Sequence, residues 1–145
     1  MPTRALVYAA LGVTPYVDRV VELLDQATRR NDPEARALVI ERDGTIAGLV
    51  IFGLVAGTSG AARLHALVLG RGVNADDIGG RLTSAAADAA TSAGARALIA
   101  ELPDDPALGT VAAVLMRYGF REEARVPDFF RDGVALTFLR RDLGA

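Results

Sequence analysis

The sequence predicts a single α/β (α+β) domain: a mixed, mostly antiparallel sheet with a central parallel strand pair flanked by helices. Three observations carry this. Asp43-Gly44 sits between two β-rich runs, a strong hairpin signal. In the middle of the chain an apolar run, an alanine-rich helical pattern and a second apolar run form a strand–helix–strand unit, which requires a parallel pair with a right-handed crossover. Two further stretches repeat apolar residues at steps of three and four behind residues suited to cap a helix. A chain of 145 residues has the length of one domain, so residues 1–145 are read as a single unit.

Taken in order, residues 14–30 read as a helix. Thr14 can cap, Pro15 suits the first helical position, and Val17, Val20, Val21, Leu24 and Ala27 form one apolar face. Residues 5–11 before it are apolar on all sides and fit either a short strand or a helix. After "NDPE" come strands at 36–41 and 46–55 around the Asp43-Gly44 turn, then a small-residue loop "AGTSGAA" and a third strand at 63–69. From Asp77 the spacing of Ile78, Leu82, Ala85 or Ala86, Ala89 and Ala93 gives a helix that Gly94 stops. Residues 96–102 are short, apolar and bounded by Gly and Pro, hence a buried strand. Asp105-Pro106 opens another helix with Leu108, Val111, Leu115 and Tyr118 on one stripe, ended by Gly119. Strands at 120–126 and 134–141 close the chain, joined by "PDFFRDG".

Composition excludes several classes. Hydrophobic residues make up 51% and charged residues 23%, an ordinary globular balance. A net charge of −2 lacks the basic footprint of a nucleic-acid binder. With no cysteine and one histidine, disulfides, thiol nucleophiles and the usual transition-metal sites fall away, so no metal is expected. No run is long enough to span a bilayer. Arg4 followed by "ALVYAALGV" faintly resembles a signal peptide, but the amphipathic segment at Thr14-Pro15 begins at once, so a cytoplasmic protein with no membrane partner is expected. Neither a "GK[ST]" phosphate loop nor a "GxSxG" elbow occurs.

The stretch "NADDIGGRL" at residues 74–82 follows the strand "LHALVL" and opens a helix. Unpaired N–H groups and the helix dipole make such a start hospitable to an anion. Together with the closing "RYGF" after the last helix, this order of elements resembles the GCN5-related N-acetyltransferase (GNAT) superfamily over about residues 35–142. The family's signature is Arg/Gln, two residues, Gly, one residue, Gly/Ala. On this chain Asn74 falls at the Arg/Gln position, Asp77 at the first Gly and Gly79 at the second, and Ile78 and Leu82 also fit. The resemblance implies an acetyl-CoA-dependent N-acyltransferase. The amides of Ile78, Gly79, Gly80 and Arg81 would hold the cofactor's pyrophosphate, and its pantetheine arm would lie beside Leu67, Val68 and Leu69, in a splay between the two parallel strands. The acceptor would be a small-molecule or peptide amine.

Departures from the pattern open alternatives. An acid at the first Gly position repels a dianion unless the Asp76 or Asp77 carboxylate turns onto the helix start as a cap or is offset by Arg71 and Arg81. Leu115 stands where many family members place a tyrosine on the last helix to protonate the departing thiolate; Tyr118 can substitute or simply pack in the core. Base candidates are His65 on the strand before the signature and Glu101 on the next strand. His65 can equally be structural, and Glu101 is either buried with a raised pKa or emerging at the strand end. Phe129 and Phe130 can wall an apolar pocket with Asp128 and Asp132 holding an ammonium, or serve a turn, the core or a homodimer contact. A degenerate GNAT-like domain that binds acyl-CoA or another small ligand, or acts in assembly, is the rival reading to an enzyme.

Overall fold

In a computed structural model, residues 2–11, 14–29 and 32–144 are described. The chain runs through helices α1 (Pro2–Leu11) and α2 (Pro15–Arg29), then strands β1 (Arg36–Arg42), β2 (Thr45–Leu54) and β3 (Ala61–Leu69). Helix α3 (Ala75–Ser92), strand β4 (Ala97–Pro103), a 3-10 turn (Pro106–Leu108) and helix α4 (Gly109–Arg117) follow, and β5 (Arg121–Arg131) and β6 (Val134–Asp142) close it. The six strands form one sheet in the order β1-β2-β3-β4-β6-β5, in which only β3 and β4 run parallel. The mixed sheet with a central parallel pair is therefore as expected.

Local chemistry accounts for most boundaries. Thr14 Oγ1 accepts the Val17 N–H at 3.2 Å and Pro15 occupies the first turn of α2. Asp43 and Gly44 both take positive φ, 53° and 76°, the geometry of a tight hairpin turn. The ambiguous 5–11 segment is helical: Val7 is fully buried against α2, and Arg4 bonds Asp25 of α2 at 2.9 Å. One expectation fails in "PDFFRDG". These residues are not a free loop, because β5 continues to Arg131 and the turn contracts to Asp132-Gly133. Pairing with β6 breaks between Val126 and Arg131, where Pro127 has no N–H to give the ladder.

The sheet separates two cores. On one face α3 and α4 pack Ile78, Leu82, Val114 and Leu115 over Val50, Phe52, Leu64, Leu67, Leu98 and Leu102. On the other, α1 and α2 pack Val7, Val17, Val20 and Leu24 over Leu49, Ile51, Ala66 and Val68. In β3 the face assignment changes phase. Ala62 and Leu64 point to the α3 side, yet so does Leu67, while Ala66 and Val68 point to the α2 side. The cause is a bulge: Ile51 pairs with Ala66 and Phe52 with Leu64, leaving His65 as the extra residue.

Candidate functional site

The bulge sits where the parallel pair comes apart. Pairing between β3 and β4 runs from Ala61 with Ala97 to Leu64 with Ala100 and stops there. Both strands nevertheless continue, β3 to Leu69 alongside β2 and β4 to Pro103 alongside β6. A bulge bends its strand and increases local twist, so β3 leaves β4 at His65. The result is a cleft through the middle of the sheet, lined on one side by the main chain of residues 65–69, which include Leu67, Val68 and Leu69, and on the other by residues 101–103. Backbone groups facing that cleft have no strand partner and need one from a ligand or water.

The start of α3 differs from the layout that the signature implies. Asn74 is the cap: its Oδ1 accepts the Asp77 N–H at 3.0 Å and its carbonyl accepts the Ile78 N–H at 3.0 Å. With the helix beginning at Ala75, the amides of Gly79, Gly80 and Arg81 lie inside it and bond back along the helix. The cradle expected at residues 78–81 is thus closed, and the open donors of the first turn are those of Ala75 and Asp76, for which no acceptor exists among the described residues. Neither aspartate caps. Asp77 pairs with Arg42 at 3.1 Å and Arg81 at 2.9 Å, and Asp76 pairs with Arg117. Three guanidiniums face two carboxylates, so of the alternatives left open the offset by cations holds, with Arg42 and Arg117 joining Arg81 in place of Arg71.

Gly79 and Gly80 have a different task from phosphate binding. A Cβ on Gly79 would lie 2.9 Å from Val114 Cγ1, and one on Gly80 would lie 2.2 Å from the Tyr118 hydroxyl oxygen. The glycines let α4 and Tyr118 close against α3, while Ile78 and Leu82 are buried core residues of the same helix. Tyr118 donates its hydroxyl proton to the Asp76 carbonyl at 3.2 Å. It stands against the helix start rather than at the strand cleft. Leu115, at the position of the family's tyrosine, is fully buried.

His65 and Glu101 lie on the two strands that border the cleft, and the Glu101 charge acts on the imidazole only as the smallest of several influences. His65 Nε2 lies 3.0 Å from the Glu34 carbonyl oxygen; since a carbonyl only accepts, Nε2 carries the proton and Nδ1 keeps its lone pair. Burial lowers the imidazole's pKa below its ordinary value of 6.5, the Glu34 bond opposes that, and the cations Arg63 and Arg19 add to the lowering. Glu34 can reach His65 because Gly53 has no side chain: a Cβ there would meet the Glu34 backbone at 2.1 Å. Glu101 is not buried in apolar surroundings; its side chain is 36% exposed and lies 3.4 Å from Arg63. Of the two alternatives for Glu101 the partly exposed one holds, because alternation along β4 sends Leu98, Ala100 and Leu102 to the α3 core and Glu101 to the opposite face.

On that face, beyond the end of the cleft, a cavity of about 220 Å³ opens between the α2 start, the 3-10 turn and the end of β5. Pro103, two residues past Glu101 on the same face of β4, lines it, as do Tyr16, Leu108 and Phe130. Phe130 meets Tyr16 edge-on with centroids 5.8 Å apart. Phe129 is 54% exposed and is not part of this wall. The cavity's carboxylate is Asp105, which accepts from Ala107 N–H at 2.9 Å and from Arg131 at 2.7 Å. These bonds hold its pKa below the usual carboxylate range. Asp128 is instead spent on the turn, accepting the Gly133 N–H at 2.7 Å. The sequence disguised Tyr16 and Asp105 as helix-start residues, and nothing in their spacing linked them.

Among the described residues there is no cluster of potential metal ligands, and no helix is long and apolar enough to cross a membrane. No family model matches the chain, and no curated protein matches it in sequence. Solved structures do. A protein from Desulfovibrio desulfuricans assigned to the GNAT family of acetyltransferases is 21% identical with a TM-score of 0.86, the match covering 99% of this chain and 91% of that one. A ribosomal-protein-alanine N-acetyltransferase from Brucella melitensis is 19% identical with a TM-score of 0.74, covering 97% and 92%. An aminoglycoside 6'-N-acetyltransferase complexed with coenzyme A is 13% identical with a TM-score of 0.79, covering 99% and 90%. The chain has the fold of the GNAT acetyltransferases, and it has it over nearly its whole length.

Proposed function

We propose that the protein is an acyl-CoA-dependent N-acyltransferase that moves an acetyl group to an amine acceptor. The observation that carries this reading is the cleft between β3 and β4, with unpartnered backbone on both edges and a cavity at its far end. A coenzyme A thioester fits the residues present. Main chain at 65–69 and 101–103 offers amide bonds to an extended arm, and the Ala75 and Asp76 amides offer donors to its pyrophosphate at the α3 start. Arg42, Arg81 and Arg117 compensate the two neighbouring acids. Bound there, the thioester supplies an activated acyl group.

The chain's own residues then position and move protons. Backbone donors on the splayed edges polarise a carbonyl placed between them, the kind of preorganised stabilisation that dominates acyl transfer. His65, neutral at physiological pH and with Nδ1 free to accept, takes the proton that an ammonium acceptor must lose before it can attack. Glu101, on the same face, offers a second route through water. Acetyl-CoA at about 100 times its dissociation constant should stabilise the protein by about 2.7 kcal/mol, a rise of several degrees in the unfolding midpoint. No rise would remove the proposal.

A second reading has an observation of its own. Tyr118 is bonded to Asp76 and Leu115 is buried, so α4 contributes no acid for the departing thiolate. A domain that binds acyl-CoA without turning it over fits that finding. It would show the thermal shift but release no free thiol with any amine.

A further inference from the structure

The cavity at the end of the cleft also constrains what the acceptor is, if the acyl-transfer reading holds. We propose that this cavity is the acceptor subsite and that it takes a small monoamine with an apolar body, such as an arylalkyl or branched alkyl amine, rather than a polycation. Size is the first ground. A cavity of about 150 Å³ accommodates a benzene ring, so about 220 Å³ holds one ring with a short linker and not a chain of linked sugars. Lining chemistry is the second. Tyr16, Val17, Leu108 and Phe130 present mostly carbon, and the Tyr16–Phe130 edge contact fixes two of these walls.

Charge is the third ground, and it argues against polyamines and aminoglycosides. A polycation needs several carboxylates free of other partners. Here Asp105 is the one acid among the lining residues, and Arg131 already occupies it at 2.7 Å, adding a positive charge at the rim. The Tyr16 hydroxyl has no hydrogen-bond partner among the described residues, and burial pushes its pKa up to about 12. It is therefore a neutral group at any working pH and offers one hydrogen bond, not an ion pair. A monoamine can seat its apolar end against these walls and leave its nitrogen toward the strand ends at Pro103.

The test is direct binding to the full chain, by calorimetry or protein-observed NMR, of 2-phenylethylamine, isoamylamine, spermidine and kanamycin at millimolar concentration. The apolar amines should bind at least about tenfold more tightly than either polycation, the discrimination that an apolar pocket achieves. Ala107→Trp tests the place: Ala107 is exposed, so the variant folds, and the indole fills the cavity mouth. It should abolish 2-phenylethylamine binding while the acetyl-CoA thermal shift stays. Preference for spermidine or kanamycin, no binding of either apolar amine, or unchanged binding in Ala107→Trp overturns the assignment. Failure of acetyl-CoA alone to stabilise the wild type is a separate result and strikes the acyl-transfer reading instead.

Discussion

Gly80→Ala separates two roles for the glycine pair in α3. If Gly80 serves the neighbouring helix, as the geometry indicates, a methyl group would sit 2.2 Å from the Tyr118 hydroxyl oxygen and 2.3 Å from its Cζ. The ring must move, and its bond to the Asp76 carbonyl goes with it. Overpacking costs about 1–3 kcal/mol and a lost hydrogen bond about 1 kcal/mol, against a gain of about 1 kcal/mol from replacing a helical glycine. The net expectation is a loss of about 2 kcal/mol, or a fall of about 6 °C in the unfolding midpoint. Thermal unfolding of Gly80→Ala, Tyr118→Ala and the double variant reads it as a double-mutant cycle, in which removing the ring should restore most of the loss. A Gly80→Ala protein that is as stable as wild type but has lost acetyl-CoA affinity would refute this account and return the glycine to the ligand.

Two further outcomes follow from the same coordinates. Asn74→Ala removes the α3 cap and should cost about 1 kcal/mol, seen as a lower midpoint in denaturant with an unchanged slope. For His65, the folded imidazole has a pKa below 6.5, so as pH falls through that value the unfolded chain takes up the proton first and stability drops until the folded pKa is passed. The contribution is fully present above about pH 6.5 and lost below it. His65→Gln should lose less stability than wild type between about pH 7.5 and about pH 5; parallel curves for the two proteins would remove the buried neutral imidazole from the picture.

Where a local rule settled the backbone, the chain was readable in advance. Asp43-Gly44, Thr14-Pro15 and Asp105-Pro106 each declare a turn or a helix start through their own covalent chemistry; the structure places the first two as expected, while Asp105 caps a 3-10 turn and α4 itself begins only at Gly109. Residues 5–11 were undecidable because a run apolar on every side has no period. In "PDFFRDG" the proline and the Asp-Gly pair spoke for a loop; β5 stays extended to Arg131, but its ladder with β6 is interrupted over residues 127–130 and resumes only where Arg131 pairs with Val134. The glycine pair was misread for a deeper reason. A residue kept small for a phosphate and one kept small for a tyrosine ring are the same residue, and the ring belongs to Tyr118, on the far side of β4 in sequence. Asp105, Arg131 and Tyr16 come from three separate segments, so their meeting around one cavity is a product of topology that no window along the chain contains.

The unpaired residue at His65 has a consequence for how this architecture tolerates change. Upstream of it the strand follows one alternation and downstream the opposite one, so a single-residue deletion there would put β3 in step along its length. Such a chain would keep its leucines and valines on their present faces, because the Phe52–Leu64 and Ile51–Ala66 pairs would then follow one another regularly, but the departure from β4 would lose its cause. Side-chain replacements along β3 are therefore gentle compared with a change in residue count: the opening in the sheet is encoded by a length, not by any one side chain.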